Sequence, residues 1–353
     1  MNGFKAFLER KNIVISAKRY FIDAMSKMAQ GLFCSLLVGT ILDTIGTQFN
    51  IAFLTTIVAT VKGVDYTMGG LASAMVGPAM AVAIGYALQA SPMVLFSLIP
   101  VGFAANAIGG AGGPLSVFAV AIIASEIGKA VSGETKVDIL VTPIVTILAG
   151  VGLSMLIAAP IGQAAAKIGN LIMWATELRP FTMGIIVSVV VGVVLTLPIS
   201  SAAICASFGI VGLAGGAAVA GCCAQMIGFA VMSFKENRWG GVVSQGLGTS
   251  MLQMGNIIKN PKIWIAPTLA SAITGPIATC VFHLEMNGAP VNSGMGTCGL
   301  CGPIGVWTGW TNPTGFDWLG LVLICFVLPA ILSWIFGEIE RKLGWIGEGD
   351  LKL

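Results

Sequence analysis

Between Asp65 and Glu126, and again between Arg179 and Lys235, the chain carries no Asp, Glu, Lys or Arg. Each run is far longer than the ~20 apolar residues that one transmembrane helix requires, so each must hold more than one crossing. Charged residues make up 9% of the 353 residues and hydrophobic ones 56%, with a mean hydropathy of +0.93. A soluble domain carries about 25% charged residues, and the chain is read as a polytopic membrane protein. Only helices and closed barrels satisfy their backbone in lipid. A barrel would show ~10-residue segments that alternate apolar and polar positions, whereas these runs are continuously apolar and broken by Gly and Pro. The fold class is therefore all-α and polytopic.

Stretches suited to crossing lie at 28–45, 71–90, 139–159, 182–197, 213–234, 263–282 and 318–336. Residues 49–61 are short for a crossing, and 93–130 read either as two helices or as one helix with a re-entrant pair. About 8 to 10 crossings with re-entrant hairpin loops are expected. Residues 1–27 carry Lys5, Arg10, Lys11, Lys18, Arg19 and Lys27 against Glu9 and Asp23, among scattered apolar residues. They predict a basic amphipathic helix on the membrane surface, without the compact order of a cleaved signal peptide. Residues 28–353 then form one transmembrane domain with halves 28–180 and 181–353. The positive-inside rule puts the N-terminus in the cytoplasm, and Arg341, Lys342 and Lys352 put the C-terminus there too.

Two segments resist a simple helical reading because Gly, Pro and amides concentrate in them: 106–114 (NAIGGAGGP) and 287–303 (NGAPVNSGMGTCGLCGP). Non-helical backbone is tolerated at membrane depth only where protein buries it or water reaches it, and paired breaks of this kind point to a transporter's binding site. Glycine used only for close helix packing is the alternative. A third polar stretch, from Ser244 to Asn256 beside Lys235, Arg238, Lys259 and Lys262, reads as an amphipathic segment along the cytoplasmic face. The break at Pro198, Ser200 and Ser201 offers hydroxyls to a ligand or to freed backbone groups.

The sole histidine, His283, stands two residues before Glu285 at the head of the second broken segment. A charge at bilayer depth costs at least about 2.5 kcal/mol and usually faces a cavity, partner or substrate. A polyhydroxylated ligand needs dense donors and acceptors, and a carboxylate can accept from two adjacent hydroxyls. The candidate substrate-binding residues are His283, Glu285, Asn287, Asn292, Thr297, Asn106, Ser200 and Ser201. The alternative is that His283 and Glu285 pair with each other or with backbone groups and lock a hairpin. Most of the eight cysteines sit in apolar or Gly-rich surroundings and read as buried packing residues. Cys298 and Cys301 form a CxxC with no second CxxC, weak support for zinc. A P-loop lysine motif and HExxH are both missing. No metal, cofactor or nucleic-acid partner is expected. A proton-coupled carrier could use Asp43 or Glu285.

From Leu197 onward the chain (LPISSAAICASFGIVGLAGGAAVAGCCAQMIGFAVMSFKEN, QGLGTSMLQMGNIIKNPKIWI, NGAPVNSGMGTCGLCGP) resembles membrane IIC subunits of the bacterial sugar phosphotransferase system. Within that family it is similar to the stand-alone group that includes toxin-production regulators of the perfringolysin O type. The resemblance implies a homodimer in the bacterial plasma membrane, hairpin loops that clasp a carbohydrate, alternating access, and separate cytoplasmic IIB and IIA partners. Glucose-type members contact sugar through a histidine and a glutamate in a Gly-Ile-Thr/Asn-Glu-Pro loop. Here the nearest counterpart is the segment from His283 to Pro290, in which proline follows Glu285 by five residues. The resemblance leaves two functions open: a translocating subunit, or a sugar-binding membrane sensor that no longer transports.

Overall fold

The computed structural model describes residues 2–61 and 63–353, and nearly all of the secondary structure in them is helical. The only sheet among the described residues is a two-stranded antiparallel ribbon, Ala59–Val61 against Val64–Tyr66. Among the described residues, six helical stretches are long and apolar enough to cross a membrane: Lys18–Thr47, Pro92–Val131, Asp138–Thr176, Gly212–Met232, Pro261–Cys280 and Gly315–Lys342. A seventh forms if Met68–Ala74 and Val76–Ala87, bent by 51°, are one span, and Pro180–Thr196 is a shorter apolar helix. The 40-residue stretch Pro92–Val131 folds back on itself, and counting its two arms, the bent pair and Pro180–Thr196 separately brings the total among the described residues to nine, within the 8 to 10 crossings expected.

Two compact units divide the chain: residues 1–39 with 70–164, and residues 40–69 with 165–353. In the first, the Gly-rich segment 106–114 is the turn of a helical hairpin. Gly110 has φ +52° between Pro92–Gly109 and Gly113–Val131. The two helices are antiparallel, since the hydroxyls of Ser91 and Ser132 lie 3.0 Å apart near the far ends. Glycine also sets the helix spacing: a Cβ on Gly102 would lie 2.3 Å from the Gly77 carbonyl oxygen, and one on Gly112 would lie 2.8 Å from that of Ile161. Close packing of small residues is the usual glue between helices in lipid.

The basic N-terminal stretch departs from the single surface helix expected over 1–27. Asn2–Arg10 is one helix, Asn12 turns the chain at φ +54°, and Lys18 already begins the first apolar span. Its cations find protein partners. Arg10 and Lys11 pair with Glu134 at 2.7 and 2.5 Å, and Lys129 donates to the Asn12 carbonyl at 2.7 Å. Those partners hold the segment on the protein, and Asn is one of the few residues that takes a left-handed conformation cheaply.

The second unit is built around Gly212–Met232, whose residues are mostly Gly, Ala and Cys and are buried nearly all round. Pro180–Thr196 runs parallel to it, with Gly221 against the Ser188 carbonyl and Gln225 against Thr196. Ile265–Cys280 runs antiparallel to both: Ser188 donates to the Ser271 carbonyl at 2.8 Å, and Thr279 donates to that of Pro180 at 2.8 Å. Gly315–Lys342 is parallel to the central helix, Gly228 meeting Ser333 and Gly337 meeting Met232. Two consecutive parallel helices require the chain to return between them. Residues 197–211 make that return through the short helix Ser201–Ser207. One end of this unit carries Lys235, Arg238, Lys259, Lys262, Arg341 and Lys342; Gly212 and Cys280 lie at the other.

Candidate functional site

Residues 281–310 leave the last turn of Ile265–Cys280 through His283, which adopts φ +46°, one of the few side chains that tolerate the left-handed region. The chain then runs extended. Met286 exchanges two backbone hydrogen bonds with Gly212, at 2.8 and 3.0 Å, and the Gly288 amide donates to the Gly305 carbonyl at 3.1 Å. Extended backbone alternates its side chains. Leu284 and Met286 therefore plug a core of Val219, Cys223, Ala278, Val306 and Ile324, while His283, Glu285 and Asn287 share the exposed side. Glycines on both flanks admit the strand: a Cβ on Gly216 would lie 1.6 Å from the Leu284 carbonyl oxygen, and one on Gly309 would lie 2.7 Å from the Asn287 Cβ. The Asn287 amide donates to Glu285 Oε2 at 3.0 Å and orients the carboxylate.

The structure thus brings His283, Glu285 and Asn287 together just beyond Cys280, the last residue of that helix, on the exposed side of the segment. His283 does not join Glu285 in an ion pair among the described residues.

Deeper in the unit, the remaining candidates hold the interrupted segments against one another. Ser201 donates to the Gly294 carbonyl at 2.7 Å, Ser293 donates to that of Ile210 at 2.6 Å, and Ser200 caps Ser201–Ser207 by accepting from the Ala203 amide at 3.1 Å. Asn292 is buried beside Gly305. Thr297 is fully buried at the tip of the hairpin, where its hydroxyl donates to the Gly246 carbonyl at 2.5 Å. Asn106 belongs to the first unit. There it sits in the hairpin turn, its carbonyl accepting from the Gly110 amide and its side chain packed against Gly77 and Gly113.

Gly246 belongs to a second re-entrant hairpin. Residues 242–259 enter from the basic end, and the amphipathic surface segment expected there is corrected. Gln245, Thr249, Ser250, Gln253 and Asn256 are buried and hydrogen-bonded inside the protein. Amides look alike in sequence whether they meet water or each other, and only the fold supplies partners for them. Beside this hairpin lies a network that sequence reasoning missed. Gln225 accepts from the Trp264 indole at 2.8 Å and donates to Thr268 at 3.2 Å, and Thr196 lies 2.8 Å from Ser250. The signal was present: Gln225 is an amide within an uncharged apolar run.

Six cysteines, Cys298 and Cys301 among them, are buried free thiols; Cys34 and Cys280 are exposed. Cys301 Sγ lies 3.4 Å from Thr44 Oγ1. Among the described residues, no group of three His, Cys, Asp or Glu side chains could hold a metal.

Two hairpins thus enter one helical unit from opposite ends. The model of the phosphotransferase system EIIC family matches residues 22–353. This chain belongs to that family. No curated protein and no solved structure matches it. As an EIIC protein it is a membrane subunit for sugar transport in the phosphotransferase system.

Proposed function

We propose that this EIIC protein receives a sugar at the end bearing His283, Glu285 and Asn287 and passes it between its two hairpins by alternating access to a cytoplasmic IIB partner. The observation that carries this reading is the contact of Thr297 with Gly246, where hairpins from opposite ends of one unit meet tip to tip. A hydroxyl-to-carbonyl bond joins the hairpins at this junction, and bonds of this kind exchange with water or with sugar hydroxyls at little net cost. At the mouth, Glu285 would accept from neighbouring sugar hydroxyls, with His283 and Asn287 supplying further donors and acceptors. The glycine-flanked strand fixes the spacing of the three.

The basic residues at the opposite end support a cytoplasmic orientation for it by the positive-inside rule, and hence for the docking of IIB. The chain is then a plasma-membrane protein that takes its phosphoryl chemistry from IIA and IIB chains. The test is phosphoenolpyruvate-dependent uptake of labelled sugars by cells that express the protein with its IIA and IIB partners. Uptake that requires this chain and is lost in Glu285→Gln supports the proposal. Sugar binding without uptake would replace it with the membrane-sensor reading.

A further inference from the structure

Past the end of Gly315–Lys342, Gly344 turns the chain at φ +69°, and residues 345–353 fold back beneath the second unit. In this otherwise mostly exposed stretch Ile346 and Leu351 are buried, Leu351 completely. Side-chain amides from the basic end converge on the backbone of the stretch. Asn237 and Gln253 both donate to the Leu351 carbonyl, at 2.7 and 2.9 Å, and Asn256 donates to that of Lys352 at 2.9 Å. Asn260 donates to the Trp345 carbonyl and to Asp350, each at 2.8 Å. Asp350 in turn accepts from the Gly347 amide at 2.8 Å, closing a tight turn.

Gln253 and Asn256 are residues of the hairpin 242–259. Gln253 also donates to Gln245 at 2.8 Å, Gln245 donates to Ser233 at 2.8 Å, and the next carbonyl, Gly246, is the one that meets Thr297. A path of hydrogen bonds, completed by the peptide link from Gln245 to Gly246, therefore joins residue 351 to the hairpin tip. The helices of the unit pack along their length and add hydrogen bonds such as Ser188 to Ser271, whereas the stretch is anchored by two buried side chains, Ile346 and Leu351, and by side-chain amides bonded to its carbonyls, bonds that water can replace.

We propose that residues 345–352 are a releasable strap that holds the basic-side hairpin closed, so that its release frees the hairpin to move. The inference builds on the reading of that hairpin as the cytoplasmic gate. A lid at the face where a partner must reach the cargo would couple partner docking to opening, because a protein surface binding there competes for the same amides.

Cys298 is a native reporter: it is buried, follows Thr297, and begins the short turn Cys298–Leu300 that lies against residues 242–248. Its labelling by N-ethylmaleimide in the full-length protein in lipid nanodiscs, read by mass spectrometry, measures hairpin opening without sugar or partner. Leu351→Asp is expected to raise the Cys298 labelling rate at least tenfold while Cys325, buried among the helices, stays slow. Leu351→Ala, a milder change, is expected to raise it severalfold and covers the case in which the aspartate variant does not fold. An unchanged Cys298 rate in a folded variant, or a parallel rise at Cys325, overturns the strap. Faster Cys298 labelling together with absent sugar uptake in the wild type would leave the strap standing and reject the transport reading.

Discussion

At the scale of the residue, the second unit rests on spacing that glycine permits. Gly216 approaches the Leu284 carbonyl so closely that Gly216→Ala must push the strand away from the central helix. Overpacking of this kind costs about 1–3 kcal/mol, and thermal unfolding in detergent should show a lowered midpoint together with lost sugar binding. Gln225→Leu removes the acceptor of the Trp264 indole and the donor to Thr268; leaving buried partners unmatched costs about 1–3 kcal/mol, read in the same assay. Glu134 titrates below the usual carboxylate range because it accepts from Lys11, with the Arg10 charge adding to the effect. A depressed carboxylate contributes fully above its unfolded value and is lost as pH falls through the folded one. The N-terminal helix should therefore stay docked at neutral pH and become protease-sensitive in strong acid. Of these residues the sequence showed the types but not the pairings. His283, Glu285 and Asn287 stood out as polar residues in an apolar chain, yet their common face depends on an extended segment in which Met286 pairs with Gly212, a contact across 74 residues that no local pattern reveals.

At the scale of the element, the apolar runs announced the helices, and the Gly- and Pro-rich breaks announced where helices stop. The course of the chain beyond a break was harder to read. Segments 106–114 and 287–303 look alike in sequence, but one is a helical-hairpin turn and the other a re-entrant hairpin. The difference lies in length: a few glycines reverse the chain, whereas the longer segment also carries Leu284 and Met286 as anchors before it. The hairpin 242–259 was invisible as such because its buried amides match a surface composition. Thr297→Val tests the junction of the two hairpins. It keeps the shape, leaves the Gly246 carbonyl without its donor, and should quicken Cys298 labelling while leaving Cys325 unreactive.

At the scale of the whole molecule, membrane embedding and family membership rest on the apolar composition of the chain and on the match over residues 22–353. The EIIC resemblance further implies a homodimer; mass photometry of the nanodisc-embedded protein should report two copies per disc, and one copy would contradict that expectation. The central claim is that Glu285 is the sugar's anchor at the mouth of the transport unit. It is tested most directly by thermal unfolding of the purified protein against a panel of sugars and polyols, with Glu285→Gln measured alongside. The predicted result is a carbohydrate that raises the unfolding midpoint of the wild type and leaves the equally stable variant unmoved. Equal stabilisation of both proteins would contradict it and take Glu285 out of the site.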